Sequence, residues 1–299
     1  MPGVVGWIVP GMENFELFGE GREFADFDNF FPSGLGFPEV VEVFGRQSHQ
    51  NQENEAHDLA DFSETTGTHG KVSTCPNDKG RLLLSPMIYL DNHATTAVHP
   101  EVVEAMLPFF AEYYHNPSSG YRAGKTVKKA IAESRGEVAQ LIGAKEVEVV
   151  FTGCGTESNN MVLKSLARIY GRKTSRVITG EIEHSAVLRP CQAMEDVGFE
   201  VHRCGVDAEG RLDLVQFKEA CAGAETGFAS LMWANNETGV IQPIAEACEI
   251  ARENEIAFHT DAIQAVGKIP IDVKEVPVDF LSISGHKFHA PKGIGAIYL

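Results

Sequence analysis

The sequence is poor in basic residues. It has 25 Lys and Arg against 42 Asp and Glu in 299 residues, which gives a formal net charge of −17. A chain with this balance repels nucleic acid and anionic membrane surfaces, so we expect neither as a partner. The excess of acidic groups otherwise favours solubility.

Cysteine patterns that would mark a metal or disulfide framework are also missing. The six cysteines include no C-x-x-C pair and no zinc-finger spacing with histidine, so we expect no metal site. A chain of this length folds without disulfides, and scattered thiols indicate a reducing compartment. There is no transmembrane run, signal peptide or Arg-rich transit peptide, because the apolar stretch Met1–Pro10 is short and lacks a basic leader. We therefore expect a cytoplasmic protein.

Composition divides the chain near Pro86. Residues 1–86 hold 14 acidic against five basic side chains, a balance of −9, and nine of the 18 Phe. No helical or strand period persists there, and the polar stretch Gln47–Asp58 favours disorder. Alternatively, the phenylalanines of Phe15–Phe44 dock onto another surface. We predict an acidic segment over 1–86 that is disordered or not part of the folded protein, and a folded domain over 87–299.

From Met87 onward, apolar β-branched runs alternate with amphipathic stretches. The predicted strands are Val147–Thr152, Arg176–Gly180, Glu200–Val206, Phe228–Ala234, Ile256–Thr260, Asp279–Ser284 and Ile294–Leu299. The predicted helices are Pro100–Tyr114, Lys125–Ile142, Glu157–Tyr170, Ser185–Val197, Leu214–Cys221 and Ile244–Glu255. This alternation predicts an α/β fold. Runs such as Phe280–Ile283 must be buried on both faces, so we expect a mostly parallel seven-stranded sheet with helices on both faces.

A glycine turn follows the first predicted strand, in the sequence Phe-Thr-Gly-Cys-Gly-Thr-Glu-Ser at 151–158. A helix that starts there, capped by Thr156, offers free N–H groups and a positive dipole end that suit a phosphate. Gly153 and Gly155 allow close approach of an anion. Taken alone, this signal is weak, because a glycine turn before a helix is more often an ordinary turn.

Two further residues follow predicted strand ends. Asp261 comes after Ile256–Thr260, where side chains face the ligand crevice of such sheets, and it can pair with a cationic ring nitrogen. Gln264, three residues on, can donate a hydrogen bond there. A helix cap or a solvated acid is the alternative for Asp261.

Lys287 follows the buried strand Asp279–Ser284. Partial burial would lower its amine pKa and favour the neutral form that makes a Schiff base, whereas most lysines are merely solvated. Together, Asp261 and Lys287 can hold a cofactor by its ring nitrogen and its aldehyde carbon, with its phosphate on the glycine turn. His184 can stack on a flat ring or move protons, and the Asn235–Gly239 turn can hydrogen-bond a ring hydroxyl.

These segments resemble the group I cysteine desulfurases, members of the class V aminotransferase group of pyridoxal-phosphate enzymes. The matching segments stand in family order across Met87–Leu299, 213 of 299 residues. They are Tyr89–Thr96, Asn116–Ser119, Phe151–Asn160, Glu183-His184, Asn235–Gly239, His259–Gln264, Ser284–Lys287 and Pro291–Ala296. The resemblance implies the fold type I large domain with pyridoxal 5'-phosphate as cofactor.

The resemblance also implies individual roles. Lys287 corresponds to the lysine that binds pyridoxal covalently and later moves a proton, Asp261 to the partner of the pyridine nitrogen, and His184 to the histidine stacked on the ring. Further implied contacts are to phosphate or cofactor from Gly155, Thr156, Ser284 and His286, to ring oxygen and substrate from Asn236 and Gln264, and to the substrate carboxylate from Asn116.

The chain departs from the family at both ends. The family's nucleophilic cysteine lies well downstream of the lysine, whereas this sequence stops at Leu299, twelve residues after Lys287. We therefore expect that cysteine, a substrate-binding arginine, a phosphate contact from the partner subunit and the smaller second domain to be missing. Cys154 lies in the phosphate turn and is not expected to substitute. Residues 1–86 have no family counterpart, so Met87 is the expected start.

The implied reaction converts L-cysteine to L-alanine and leaves a persulfide for iron–sulfur cluster assembly or thiolation. The implied partners are a second copy of the chain and a sulfur-accepting scaffold or carrier protein. This chain is not expected to complete sulfur transfer alone. The alternatives are another class V enzyme, either a selenocysteine lyase or an aminotransferase for small amino acids, and a non-catalytic fragment.

Overall fold

A computed structural model describes residues 88–171, 175–222 and 226–299. All of them belong to one compact unit. The predictions for residues 1–86, and for Met87 as the start, lie outside the described residues and stay predictions. Within the described ranges, none of the helices combines the length and the apolar character needed to cross a membrane.

The described residues form one seven-stranded sheet with the order β1-β7-β6-β5-β4-β2-β3. The strands are β1 Val149–Thr152, β2 Ser175–Gly180, β3 Glu200–Cys204, β4 Thr226–Met232, β5 Ala257–Asp261, β6 Phe280–Ser284 and β7 Gly295–Tyr298. The strands β3, β2, β4, β5 and β6 are parallel to one another. β7 runs antiparallel to both of its neighbours, β6 and β1. Six strands thus share one direction, which confirms the predicted mostly parallel sheet.

Helices cover both faces of this sheet, as predicted. They are α1 Pro100–Met106, α2 Pro108–Ala111, α3 Arg122–Leu141, α4 Gly155–Tyr170, α5 Ser185–Asp196, α6 Leu214–Ala222 and α7 Ile244–Glu253. One buried apolar cluster unites the inner sides of α4 and α5 with the sheet, through residues such as Leu163 and Val187. The other unites α3, α6 and α7 with the opposite face, through residues such as Phe217 and Ala247.

Two predicted helices were wrong in extent. The predicted helix Pro100–Tyr114 is two short helices, because Pro108 has no N–H to donate to the preceding turn and starts α2 instead. The predicted helix Ile244–Glu255 ends at Glu253, and Glu255 takes a left-handed φ of 58°, a conformation that terminates helices.

The predicted strand Val147–Thr152 begins only at Val149, because Glu146–Glu148 form a 3₁₀ turn. Two other predicted strands extend too far at their carboxyl ends. The first, Glu200–Val206, ends at Cys204, and Val206 makes only an isolated bridge to Leu212. The second, Phe228–Ala234, ends at Met232, and Ala234 makes an isolated bridge to Ile241. In both places the chain leaves the sheet to form a turn at the carboxyl edge.

Candidate active site

The carboxyl ends of the central strands bring polar side chains to one edge of the sheet. Asp261, at the end of β5, is in register with Met232 at the end of β4 and with Ser282 in β6. Ser284 and the short 3₁₀ turn Gly285–Lys287 continue from β6 at the same edge. Ligands of open α/β sheets bind outside this edge, so it is the first place to look for a site.

The glycine turn after β1 starts helix α4, but its cap differs from the prediction. Cys154, and not Thr156, is the N-cap, and its Sγ accepts the Glu157 N–H at 3.4 Å. Gly155 and Thr156 are the first helical residues, where N–H groups have no acceptor within the helix. The Glu157 carboxylate takes the Gly153 N–H at 2.5 Å. The turn thus presents the Gly155 and Thr156 N–H groups at a positive helix end.

Gly155 lies tightly against the two other segments of the site. A Cβ on Gly155 would overlap the Ile263 side chain and lie 3.0 Å from Ser284 Cβ. Ser284 is 2% exposed, and its Oγ has no hydrogen-bond partner among the described residues. A buried hydroxyl without a partner beside a helix N-terminus is the environment of an anion contact.

Asp261 is 4% exposed and held by two donors. Its Oδ2 accepts Asn159 Nδ2 at 2.6 Å, and its Oδ1 accepts the Ile263 N–H at 3.1 Å. Burial raises the pKa of Asp261, whereas these hydrogen bonds and the nearby His184 and Lys287 oppose the rise. Asp261 is therefore a buried acid whose two oxygens are hydrogen-bonded and which has Lys287 nearby.

Lys287 lies in electrostatic contact with Asp261. Its Nζ donates to the backbone carbonyls of His93 and Ala94, both at 2.7 Å. Partial burial lowers the pKa of Lys287, and the carboxylates of Asp261 and Asp91 oppose that shift. A lowered pKa favours the nucleophilic neutral amine, as the sequence predicted.

The segment Asp91–Ala97 lines this edge and binds two other predicted residues. Gln264 Nε2 donates to His93 O at 2.8 Å, the carbonyl that also accepts Lys287. His286 Nδ1 lies 3.1 Å from Thr95 Oγ1. Burial, together with the positive charges of Lys287 and Lys292, lowers the pKa of His286.

His184 is the N-cap of α5, and its Nδ1 accepts the Ala186 N–H at 3.0 Å. This bond makes Nδ1 an acceptor and leaves Nε2 as the nitrogen available to the site. His184 is close enough to lower the pKa of Asp261. The ring therefore belongs to the same cluster as Asp261 and Lys287.

Two predicted residues are not joined to this cluster by hydrogen bonds within the described residues. Asn236 Nδ2 donates to its neighbour Glu237 at 2.6 Å, and the preceding Asn235 instead ties its turn to Ile182 O at 3.1 Å. Asn116 accepts the Ser118 N–H at 2.8 Å and so closes its own turn. The roles assigned to Asn236 and Asn116 stay predictions.

Sequence reasoning missed Asn159 as the hydrogen-bond partner of Asp261, and it missed the burial of Glu183. Asn159 is fully buried on the inner face of α4, in line with Val162, Leu163 and Leu166. A polar residue within the apolar stripe of an amphipathic helix is the signal that marks it. No comparable periodic signal marks Glu183, because it lies in a turn.

With this geometry in place, the chain can be assigned to a family. The family model named aminotransferase class-V matches residues 88–299. The chain belongs to the aminotransferase class-V family.

Its relatives within that family include cysteine desulfurases. Cysteine desulfurase 2 of Trichormus variabilis is 46% identical over 213 residues, which make up 71% of this chain and 53% of that protein. Cysteine desulfurase IscS of Dictyoglomus turgidum is 49% identical over 212 residues, with 71% of this chain and 54% of that protein covered. The chain thus spans about half the length of the curated relatives it matches.

Solved structures show the same likeness. A NifS-like protein superposes with a TM-score of 0.69 at 38% identity, over 71% of this chain and 58% of that one. The structure of SspA in complex with cysteine gives a TM-score of 0.67 at 38% identity, over 71% and 60% of the two chains. These matches confirm the predicted family and its α/β fold.

Proposed function

We propose that residues 88–299 form the pyridoxal-phosphate-binding domain of a cysteine desulfurase. The observation that carries the proposal is the convergence of Lys287, Asp261 and the Gly155 turn at one edge of the sheet, with Ser284 between them. One small cofactor can therefore contact all of these groups. The relatives named cysteine desulfurase support this choice within the family.

The donor set fits pyridoxal phosphate. The Gly155 and Thr156 N–H groups and the unpartnered Ser284 hydroxyl suit a phosphate. Asp261 is a buried acid whose charge needs a partner such as a protonated ring nitrogen. We assign ring contacts to His184 and Gln264 as well. His286 supports the segment Asp91–Ala97 through its contact with Thr95.

When bound, pyridoxal phosphate supplies an electron-withdrawing ring that weakens the bonds at the substrate Cα. The chain's own residues position the cofactor and hold or move protons. Lys287 Nζ acts as the nucleophilic amine and moves a proton, because burial favours its neutral form. Asp261 would pair with the ring nitrogen and keep it protonated, and His184, whose Nδ1 is fixed by the Ala186 N–H, would contact the ring.

The proposed substrate is L-cysteine, which becomes L-alanine while its sulfur passes to a thiol and then to a scaffold or carrier protein. One of the solved relatives, SspA, is described in complex with cysteine. Four of the described thiols are unsuited to receive sulfur. Burial raises the pKa of Cys191, Cys204 and Cys221 to about 12 and that of Cys248 to about 11.

A second copy of the chain is the proposed partner in assembly. The stretch from Leu107 to Tyr114 exposes large apolar side chains, including Phe110 at 72% and Tyr114 at 70%. Contiguous exposed apolar surface of this kind is typical of protein interfaces. The described cysteines are all unpaired, which supports the proposed cytoplasmic location.

The test is visible absorbance of the purified 299-residue protein after addition of pyridoxal phosphate. We expect a covalent complex that borohydride reduction fixes and peptide mass spectrometry locates at Lys287. Lys287→Ala should abolish both signals. Lys268→Ala is the matched control. Lys268 is an exposed amine close enough to Lys287 to feel its charge, and its removal should leave the covalent bond intact.

L-Alanine production from L-cysteine then tests the substrate. If the wild-type protein showed no Lys287-dependent absorbance, or if the label appeared on another lysine, the proposed function would be wrong.

A further inference from the structure

Glu183 is a buried acid that the proposed chemistry does not use. Its side chain is 6% exposed, and its Oε1 accepts the Met232 N–H at 2.9 Å. Its Oε2 has no hydrogen-bond partner in the described part of the chain. The carboxyl lies beside a small cavity that is otherwise lined mainly by apolar groups such as Ile182, Val206 and Leu231.

No cation of the described residues forms an ion pair with this carboxyl. Among the described residues, none of the ion pairs includes Glu183. A buried carboxylate with one N–H donor and no counter-charge is strongly unfavourable, and such a group takes up a proton instead.

A second acid, Asp261, competes for the same proton, but its surroundings differ. Asp261 receives hydrogen bonds on both oxygens, from Ile263 and Asn159, and it has Lys287 nearby. Glu183 receives one. Of two neighbouring buried acids, the one with more donors and a cation keeps the negative charge, and the other keeps the proton.

Glu183 lies where it can anchor the turn that carries His184. Glu183 directly precedes His184, and its bond to Met232 ties their turn to the end of β4. Asn235 adds a second tie, through its 3.1 Å bond to Ile182 O. The orientation of the His184 ring therefore depends on the turn that Glu183 anchors.

We propose that Glu183 is a positioning residue that works as a neutral carboxylic acid. It fixes the His184 turn on β4, and it leaves the buried negative charge of the site to Asp261. This inference deepens the proposed function and rests on it for the role of His184, whereas the protonation of Glu183 stands on the geometry of this chain alone.

The electrostatics support this assignment. Burial and the neighbouring Asp261 place the pKa of Glu183 well above its ordinary range. The titratable groups around it are His184 on the same turn, Asp261 at the end of β5 and Cys191 on α5. None of them is a fixed cation that would return the charge to Glu183.

The first experiment compares thermal unfolding of wild type and Glu183→Gln in the full chain from pH 4 to pH 8. Folded Glu183 stays protonated while unfolded Glu183 ionises near its ordinary pKa of 4.5, so the wild type loses stability as the pH rises above 4.5. The amide has the same shape and no charge to lose. We expect the melting temperature of the Gln variant to gain about 2 °C or more on the wild type between pH 4 and pH 8.

The second experiment measures the absorbance and affinity of bound pyridoxal phosphate. Glu183→Gln should keep both at wild-type values, because the amide oxygen still accepts the Met232 N–H. Glu183→Ala leaves that N–H unpaired and should shift the absorbance maximum and weaken binding several-fold. Should the Ala variant fail to fold, the melting comparison with Gln still decides the protonation state.

The outcomes separate the two claims. A Gln variant that loses stability relative to wild type as pH rises, or that matches Ala in the cofactor spectrum, would overturn the neutral-acid role. An Ala variant with wild-type spectrum and affinity would overturn the positioning role. Absence of any wild-type spectrum would sink the proposed function and leave the melting result standing.

Discussion

Buried polar groups in the middle of strands β4–β6 differ from those at the carboxyl ends in how completely their bonding capacity is satisfied. In the middle, His259 is fully buried between Ser230 Oγ at 2.8 Å and Ser282 Oγ at 2.9 Å, so both ring nitrogens are satisfied. Two residues further along β5 and β6, Asp261 is a buried acid that has no ion pair among the described residues, and the Ser284 hydroxyl has no hydrogen-bond partner there. The residues at i and i+2 share one face of the sheet, so distance along the strand is what separates the two sets.

This difference separates buried polar groups that stabilise the fold from buried polar groups that are available to a ligand. A buried polar group that is fully hydrogen-bonded holds neighbouring strands together and has no capacity left for a ligand. A buried polar group that lacks partners costs stability and persists where a ligand satisfies it. The three predictions that follow test whether stability and cofactor binding separate along the strands in this way.

The largest expected effect is on stability, from His259→Ala. The substitution leaves the Ser230 and Ser282 hydroxyls unpaired at a fully buried position, which costs about 3 kcal/mol. The melting temperature at pH 7 should fall by about 6–12 °C, while the affinity for pyridoxal phosphate of the folded protein changes little.

The pH dependence adds a check on the same variant. Burial lowers the pKa of His259 from 6.5 to about 3. The unfolded chain therefore takes up a proton first as pH falls below 6.5, and the stability that depends on a neutral His259 is lost toward pH 3. The difference in stability between wild type and His259→Ala should therefore become smaller as the pH falls from 6.5 toward 3. A constant difference would contradict a neutral, buried His259.

The next effect is on binding, from Asp261→Asn. The amide removes the buried charge that we propose pairs with the ring nitrogen, and a hydrogen bond to a charged group is worth about 1.5–3 kcal/mol. Affinity for pyridoxal phosphate should fall about 10- to 100-fold in a titration followed by absorbance. Stability at pH 7 should be unchanged or higher, because burial raises the pKa of Asp261 above 3.8 and its ionisation opposes folding above that pH. A large loss of stability would show that Asp261, like His259, mainly stabilises the fold.

The smallest effects come from a matched pair on β6. Ser284→Ala removes a hydroxyl that bonds to none of the described residues, so stability should change by less than about 0.5 kcal/mol while cofactor affinity falls about 2- to 10-fold. Ser282→Ala breaks the bond to His259 and should cost about 1 kcal/mol of stability with unchanged affinity. Denaturant unfolding measures the stability of both variants, and the same titration measures their cofactor affinity. Equal changes in the two variants would contradict the proposed difference between the middle and the carboxyl end of β6.

Much of the fold was predictable because its signals are local. Apolar runs such as Phe280–Ile283 announce strands buried on both faces, and alternation with amphipathic stretches announces helices on both faces of a parallel sheet. Element ends were less predictable. Pro108 divided a predicted helix for a local reason, its missing N–H. The strands ended where turns at Val206 and Ala234 began, and those ends depend on contacts made elsewhere in the chain.

For the site, residue order along the chain was enough to nominate Lys287, Asp261, His184 and the Gly155 turn, because each follows a strand whose carboxyl end must face the crevice. Which residues satisfy or neutralise these groups could not be read in the same way. Asn159 reaches Asp261 from 102 positions away, and the His93 and Ala94 carbonyls reach Lys287 from 194 and 193. Hydrogen bonds and desolvation act over a few ångströms in space, so the charge on Asp261, the amine of Lys287 and the proton on Glu183 are set by neighbours that folding alone brings together.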